Sequence, residues 1–80
     1  MARIKVLLPQ WGMGMSEGTI VKWLKAVGDI VTEDEPLAEV EAEKTTEVIE
    51  SPVSGTLTEI LVEAGSLVPV RTPVAIIEKV

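Results

Sequence analysis

Short runs of Val, Ile, Leu and Thr interleaved with charged residues recur along the chain, separated by breaks that carry Gly, Pro or Ser. β-branched runs of this length, with turn signals every 8–12 residues or so, predict strands rather than helices. The expected strands are residues 4–8, 19–24, 30–31, 37–42, 46–50, 55–62, 67–68 and 74–79. Between them lie a glycine-bearing loop at 9–18, turns around Val27-Gly28-Asp29 and Ala64-Gly65-Ser66, and a corner at residues 51–55. Gly28 and Gly65 are expected at positive φ, and Pro36 and Pro73 at strand starts, where a missing amide hydrogen is tolerated.

Shifting the sequence by 37 places superimposes residues 18–41 on 55–78. Gly18/Gly55, Thr19/Thr56, Leu24/Leu61, Gly28/Gly65, Val31/Val68, Pro36/Pro73, Ala38/Ala75 and Glu41/Glu78 are identical pairs. Two copies are too few for a solenoid, so the repeat predicts one closed all-β domain of two similar halves. The halves differ at Lys44, whose counterpart would fall beyond Val80.

Composition narrows the reading. A chain of 80 residues forms one domain hiding roughly 60–65% of its unfolded surface. Its core must come from twelve Val, seven Ile and seven Leu, because Phe and Tyr are absent. Without cysteine there is neither a disulfide nor a protein thiol. A net charge of −6 argues against a nucleic-acid surface and against docking on an anionic membrane. No apolar run approaches the roughly 20 residues of a membrane span, and the N-terminal residues lack a signal-peptide core, so the chain is expected to be soluble and intracellular.

Lys44 stands out because it falls between two expected strands, whereas Lys5, Lys22, Lys25 and Lys79 fall within or beside strands. With a two-residue loop of Glu43 and Lys44, Val40 would face Glu47 and Glu39 would face Val48, mixing wet and dry partners. A three-residue loop of Glu43, Lys44 and Thr45 would pair Ala42 with Thr46 and Val40 with Val48, and this register, or a tight turn followed by a bulge, is expected. Either loop predicts a solvated lysine at a hairpin tip, which is an ordinary strand-blunting residue or an attachment point.

Taken together, the blocks Gly18-Thr-Ile-Val-Lys-Trp-Leu, Val27-Gly-Asp-Ile-Val, Leu37-Ala-Glu-Val-Glu-Ala-Glu-Lys44-Thr, Ser51-Pro-Val-Ser-Gly55 and Ala64-Gly-Ser-Leu-Val resemble the lipoyl domains of 2-oxo acid dehydrogenase complexes. The resemblance spans essentially the whole chain. It implies a flattened β-barrel or sandwich of two four-stranded antiparallel sheets with pseudo-two-fold symmetry, a barrel-sandwich hybrid. It also implies that lipoic acid is amide-linked to Lys44, flanked by Glu43 and Thr45, and that residues 1–80 form a single attachment domain, the N-terminal part of a longer multidomain acyltransferase. Biotinyl domains share the fold but flank their lysine with methionines. Thr45 replaces the alanine common after the lysine, and Glu50 a common proline.

By the same resemblance, the group on Lys44 acts as a swinging arm. It takes acyl groups and electrons from a thiamin-diphosphate-dependent decarboxylase, delivers the acyl group in an acyltransferase core, and is reoxidised by dihydrolipoamide dehydrogenase. A lipoate ligase or lipoyltransferase would load the lysine. The domain is expected to be monomeric, in a bacterial cytoplasm or a mitochondrial matrix. The Pro9 to Gly18 loop looks most like those of pyruvate and acetoin dehydrogenase acyltransferases, and its Trp11 and Met13 are candidate contacts to the decarboxylase. With no His, no thiol and no clustered metal ligands, the chain is expected to catalyse nothing alone. Gly12, Gly14 and Gly18 do not form a dinucleotide fingerprint, since no helix follows. Trp23, equivalent to Ile60, is expected in the core, and Glu39, Glu41, Glu43, Glu47 and Glu50 on a solvated face. The competing readings are a biotinyl carrier and a non-covalent interaction module whose Lys44 stays free.

Overall fold

The computed structural model describes residues 2–42 and 45–79. The strands are β1 Arg3–Leu7, β2 Glu17–Trp23, β3 Ile30–Val31, β4 Pro36–Ala42, β5 Thr45–Glu50, β6 Gly55–Ile60, β7 Leu67–Pro69 and β8 Pro73–Lys79. They form two four-stranded antiparallel sheets, ordered β1-β8-β6-β3 and β5-β4-β2-β7. The sheets are not closed into a barrel, and the expected flattened sandwich is what the chain adopts. Leu8, Ile20, Leu37, Val40, Ile49, Leu57 and Ile77 fill the space between the sheets with almost no exposure.

The 37-residue repeat is a repeat of backbone geometry as well as of sequence. Gly28 and Gly65 both take positive φ, 99° and 92°, and so do Asp34 and Arg71, at 72° and 67°. Leu24 N–H donates to the Leu37 carbonyl as Leu61 N–H does to Val74, and Gly28 N–H donates to Leu57 as Gly65 N–H does to Ile20. Each bulge in β2, between Ile20 and Lys22, has its partner in β6, between Leu57 and Glu59. An extra residue in β4, Leu37, matches one in β8, Val74. A bulge re-aims the strand by one residue, which is why Leu37 and Ala38, adjacent in sequence, are both fully buried.

Consecutive strands cross from one sheet to the other at every step except β4 to β5. Among the described residues this is the one place where sequence neighbours pair as a hairpin. The same symmetry sets β1 against β8 as β5 stands against β4, so Ala2 and Lys79 occupy the place equivalent to Thr45 and Ala42, and Lys79 N–H donates to the Ala2 carbonyl at 2.7 Å. Lys79 also pairs with Gly55, and Gly55 with Val31, beside the corner where Ser51 exchanges hydrogen bonds with Asp34 and Glu35. That corner opens β4. Its other end, Ala42, lies six residues on, or about 20 Å at ordinary strand rise, so the Ala2–Lys79 pair and the Ala42–Thr45 pair sit at opposite poles.

The Asp34 corner is held by charge. The Lys25 ammonium lies 2.9 Å from one Glu35 carboxylate oxygen, and Thr32 N–H donates to the other at 2.9 Å. The bond from Lys25 and then that from Thr32 hold the Glu35 carboxyl below its ordinary value. A depressed carboxylate adds stability above its unfolded pKa of about 4.3 and loses it as pH falls through the folded value. Replacing Glu35 by Gln is therefore expected to lower the melting temperature at pH 7 and to leave it unchanged at the acid end of a titration from pH 7 to 2. Equal losses at both ends would contradict the assignment.

Candidate functional site

The ladder of the single hairpin ends with Ala42 opposite Thr45, after Val40 opposite Glu47 and Glu39 opposite Val48. This corrects the expected three-residue loop: two positions, 43 and 44, separate the paired ends, and both lie outside the described residues. The mixed partners that argued against this register are tolerated for a physical reason. The Leu37 bulge shifts which β4 residues point inward, and at the end of a thin sandwich the inner face meets water, so Glu47 is only half-buried opposite fully buried Val40. On the outer face Val48, 37% exposed, stands beside Glu39.

The loop between β1 and β2 packs against this end. Leu8 exchanges backbone hydrogen bonds with the 69–72 turn, its N–H donating to the Thr72 carbonyl and its carbonyl accepting from Arg71 N–H, and Val70 N–H donates to the Ser16 carbonyl at 3.0 Å, fixing both ends of the loop. Met15 is buried and Trp11 half-buried against the core, while Met13 between them is fully exposed. Gln10 Nε2 donates to the Met13 carbonyl at 3.3 Å. Trp11, Gly12, Gly14, Met15, Ala42, Thr45 and Glu47 line one shallow groove. Of the predicted site residues, the structure thus brings Trp11 and Thr45 together, leaves Met13 as a free contact, and does not describe Glu43 and Lys44.

Glu47 is the member that sequence reasoning missed. Taken there as part of one solvated acidic face with Glu39 and Glu41, it instead lies on the opposite side of the sheet and enters the groove. Only the true register would have revealed it. Trp23 is half-buried and packs against the core as expected, and its Nε1–H donates to the Val62 carbonyl at 2.9 Å, joining the two halves.

Two glycines of the loop are not demanded by the fold. Neither Gly12 nor Gly14 is at positive φ, and a Cβ on either meets no atom within 4 Å. Gly→Ala at an unstrained position stabilises by about 0.4–1 kcal/mol through the unfolded chain. Gly12→Ala and Gly14→Ala are expected to raise the denaturation midpoint slightly, measured in urea. A loss of 1 kcal/mol or more would show a hidden structural demand.

A sandwich of two symmetric four-stranded sheets with a lone hairpin at one pole is the architecture of prosthetic-group attachment domains. The family described as "Biotin-requiring enzyme", the biotin/lipoyl family, matches residues 4–77, and the chain belongs to it. Among curated relatives, it is 47% identical over 74 residues to the dihydrolipoyllysine-residue acetyltransferase component of the pyruvate dehydrogenase complex of Corynebacterium glutamicum, covering 92% of this chain and 11% of that protein. The corresponding component of Mycobacterium tuberculosis is 46% identical over 65 residues, covering 81% of this chain and 12% of that one. That of Staphylococcus aureus is 50% identical over 60 residues, covering 75% and 14%. The chain therefore spans about a tenth to a seventh of the relatives' length. Among solved structures, the urea carboxylase of Kluyveromyces lactis superimposes with a TM-score of 0.83 at 27% identity, over 98% of this chain and 6% of that one.

Proposed function

We propose that this chain is a lipoyl carrier domain, with lipoate in amide linkage to the Nζ of Lys44. The observation that carries the reading is the β4–β5 hairpin. It is the one connection between paired sequence neighbours among the described strands, its ladder is complete at Ala42 and Thr45, and the two residues left to join it are Glu43 and Lys44. The four other lysines lie in strands or beside a strand end, and two of them face carboxylates: Lys25 with Glu35 at 2.9 Å and Lys22 with Glu39 at 4.0 Å. The paired ends of that hairpin, Ala42 and Thr45, lie at the pole away from Ala2 and Lys79, which leaves that pole to a modifying enzyme.

A lysine amine with an ordinary pKa of roughly 10.4 needs an activated acyl donor, so loading requires a lipoate ligase or lipoyltransferase. The group supplies a cyclic disulfide that accepts an acyl group together with two electrons, chemistry absent from the protein's own side chains. The rigid sandwich holds the attachment pole apart from the chain ends. The exposed Met13 and half-buried Trp11 give the decarboxylase a surface beside that pole, and the carrier by itself performs no catalysis. The partners in this reading are a thiamin-diphosphate-dependent decarboxylase, the acyltransferase core and dihydrolipoamide dehydrogenase, in a complex of the pyruvate dehydrogenase kind named for the relatives.

Lipoate is favoured over biotin because the relatives at 46–50% identity are dihydrolipoyllysine proteins and because Glu43 and Thr45 replace flanking methionines. The test offers the purified chain to a lipoate ligase with lipoate and ATP and, separately, to a biotin ligase with biotin and ATP, and reads intact mass. The expected result is complete lipoylation and no biotinylation. The reverse pattern would make the chain a biotinyl carrier, and no mass change in either reaction would leave it an interaction module.

A further inference from the structure

Apart from Trp11 at its edge, the groove beside the hairpin has no role in the reading so far, and its shape calls for one. Its walls combine an aromatic ring, Trp11, and a thioether, Met15, with the two residues that flank the β4–β5 connection, Ala42 and Thr45. Gly12 and Gly14 border it although neither the backbone angle nor local packing requires glycine at either place, so their effect is to leave its wall low. Among the described residues that line it, Glu47 contributes the one ionisable side chain. The groove therefore suits a small, neutral, polarisable group arriving from between Ala42 and Thr45.

We infer that this groove is a resting seat for the oxidised dithiolane ring of the domain's own lipoyl group, held against Trp11. The inference rests on Lys44 carrying lipoate. Sulfur is polarisable and packs favourably on aromatic rings, and a ring tethered between two residues that line the groove meets it at an effective concentration of order millimolar, so even a weak contact is populated. The Glu47 carboxylate disfavours a thiolate nearby by like charge, so the seat suits the uncharged cyclic disulfide better than an ionised form of the reduced arm. No covalent step is involved. Seating holds the ring at the pole between encounters, and a partner gains the arm by displacing it from Trp11.

The experiment follows Trp11 emission in a Trp23→Phe background, with complete modification of Lys44 verified by intact mass beforehand. Disulfides quench indole fluorescence on contact. If seated and free arms are equally populated, emission falls by about half on lipoylation and recovers when the ring is reduced with a phosphine. Acetylated Lys44 gives no quench. Gly12→Leu and Gly14→Leu, which raise the wall, abolish the quench while lipoylation stays complete. Should Trp23→Phe fail to fold, the two indole N–H signals of the wild-type chain read the same event by NMR: that of Trp11 shifts between oxidised and reduced states and that of Trp23 does not. A fully lipoylated chain whose Trp11 signals match those of the unmodified chain overturns the seat, as does a quench that persists at full size in both leucine variants. Absence of lipoylation would instead defeat the proposed function.

Discussion

Replacing Lys44 by arginine is expected to remove all loading by a lipoate ligase and, with it, every trace of reductive acylation by the decarboxylase, while the thermal midpoint stays within a few degrees of the parent. The chemistry requires the first result, since a guanidinium is not acylated under conditions that amidate an amine. The topology requires the second. The β4–β5 ladder closes at Ala42 and Thr45, so position 44 lies beyond the last strand pair and its substitution removes no ladder hydrogen bond. A variant that still gains the lipoyl mass would show that another lysine is the substrate. One that unfolds would show that Lys44 is structural.

The largest expected effect on stability comes from Gly55→Ala. At Gly55, β6 runs so close to β8 that a Cβ would overlap the Glu78 carbonyl oxygen and come within 2.9 Å of its carbon and 3.0 Å of Ile77 Cγ2. The obstacle is paired backbone and cannot rotate away, so the sheet must distort at a cost of about 3 kcal/mol, the upper part of the usual overpacking range. For a domain of this size that is a fall of about 12–24 °C in Tm. Gly18, its counterpart in the repeat, meets side chains instead, Val40 Cγ1 at 2.8 Å and Met15 Cε at 3.3 Å. These can shift, and Gly18→Ala is expected to cost markedly less. Calorimetry of the two variants side by side checks the order. Equal losses would mean that the close approach at Gly55 does not govern.

Much of the fold is written in the 37-residue repeat, because the repeated residues are the ones that fix backbone geometry. Gly28 and Gly65 mark positive φ, Pro36 and Pro73 open β4 and β8, and the strand predictions from Ile20 and Leu57 onward differ from the structure only at their ends. Asp34 and Arg71 were silent because their left-handed φ is imposed by the corner and not by residue type. The equivalence of β1 and β5 was also hidden. It lies in their places beside β8 and β4, and their sequences share no pattern at the repeat spacing. The hairpin register failed for a related reason: alternation assumes an unbroken strand, and the Leu37 bulge breaks it. Glu47 was consequently assigned to the wrong face. The hairpin itself was legible from sequence, because its existence follows from two adjacent strand-like runs and not from their register.

The most direct test of the account is fragmentation mass spectrometry of the wild-type chain produced together with a lipoate ligase and lipoate. The account predicts one lipoyl group per chain, with the fragment series placing it on Lys44 and leaving Lys5, Lys22, Lys25 and Lys79 unmodified. A lipoyl group on any of those four lysines, or a chain that remains unmodified beside a fully active ligase, would contradict it.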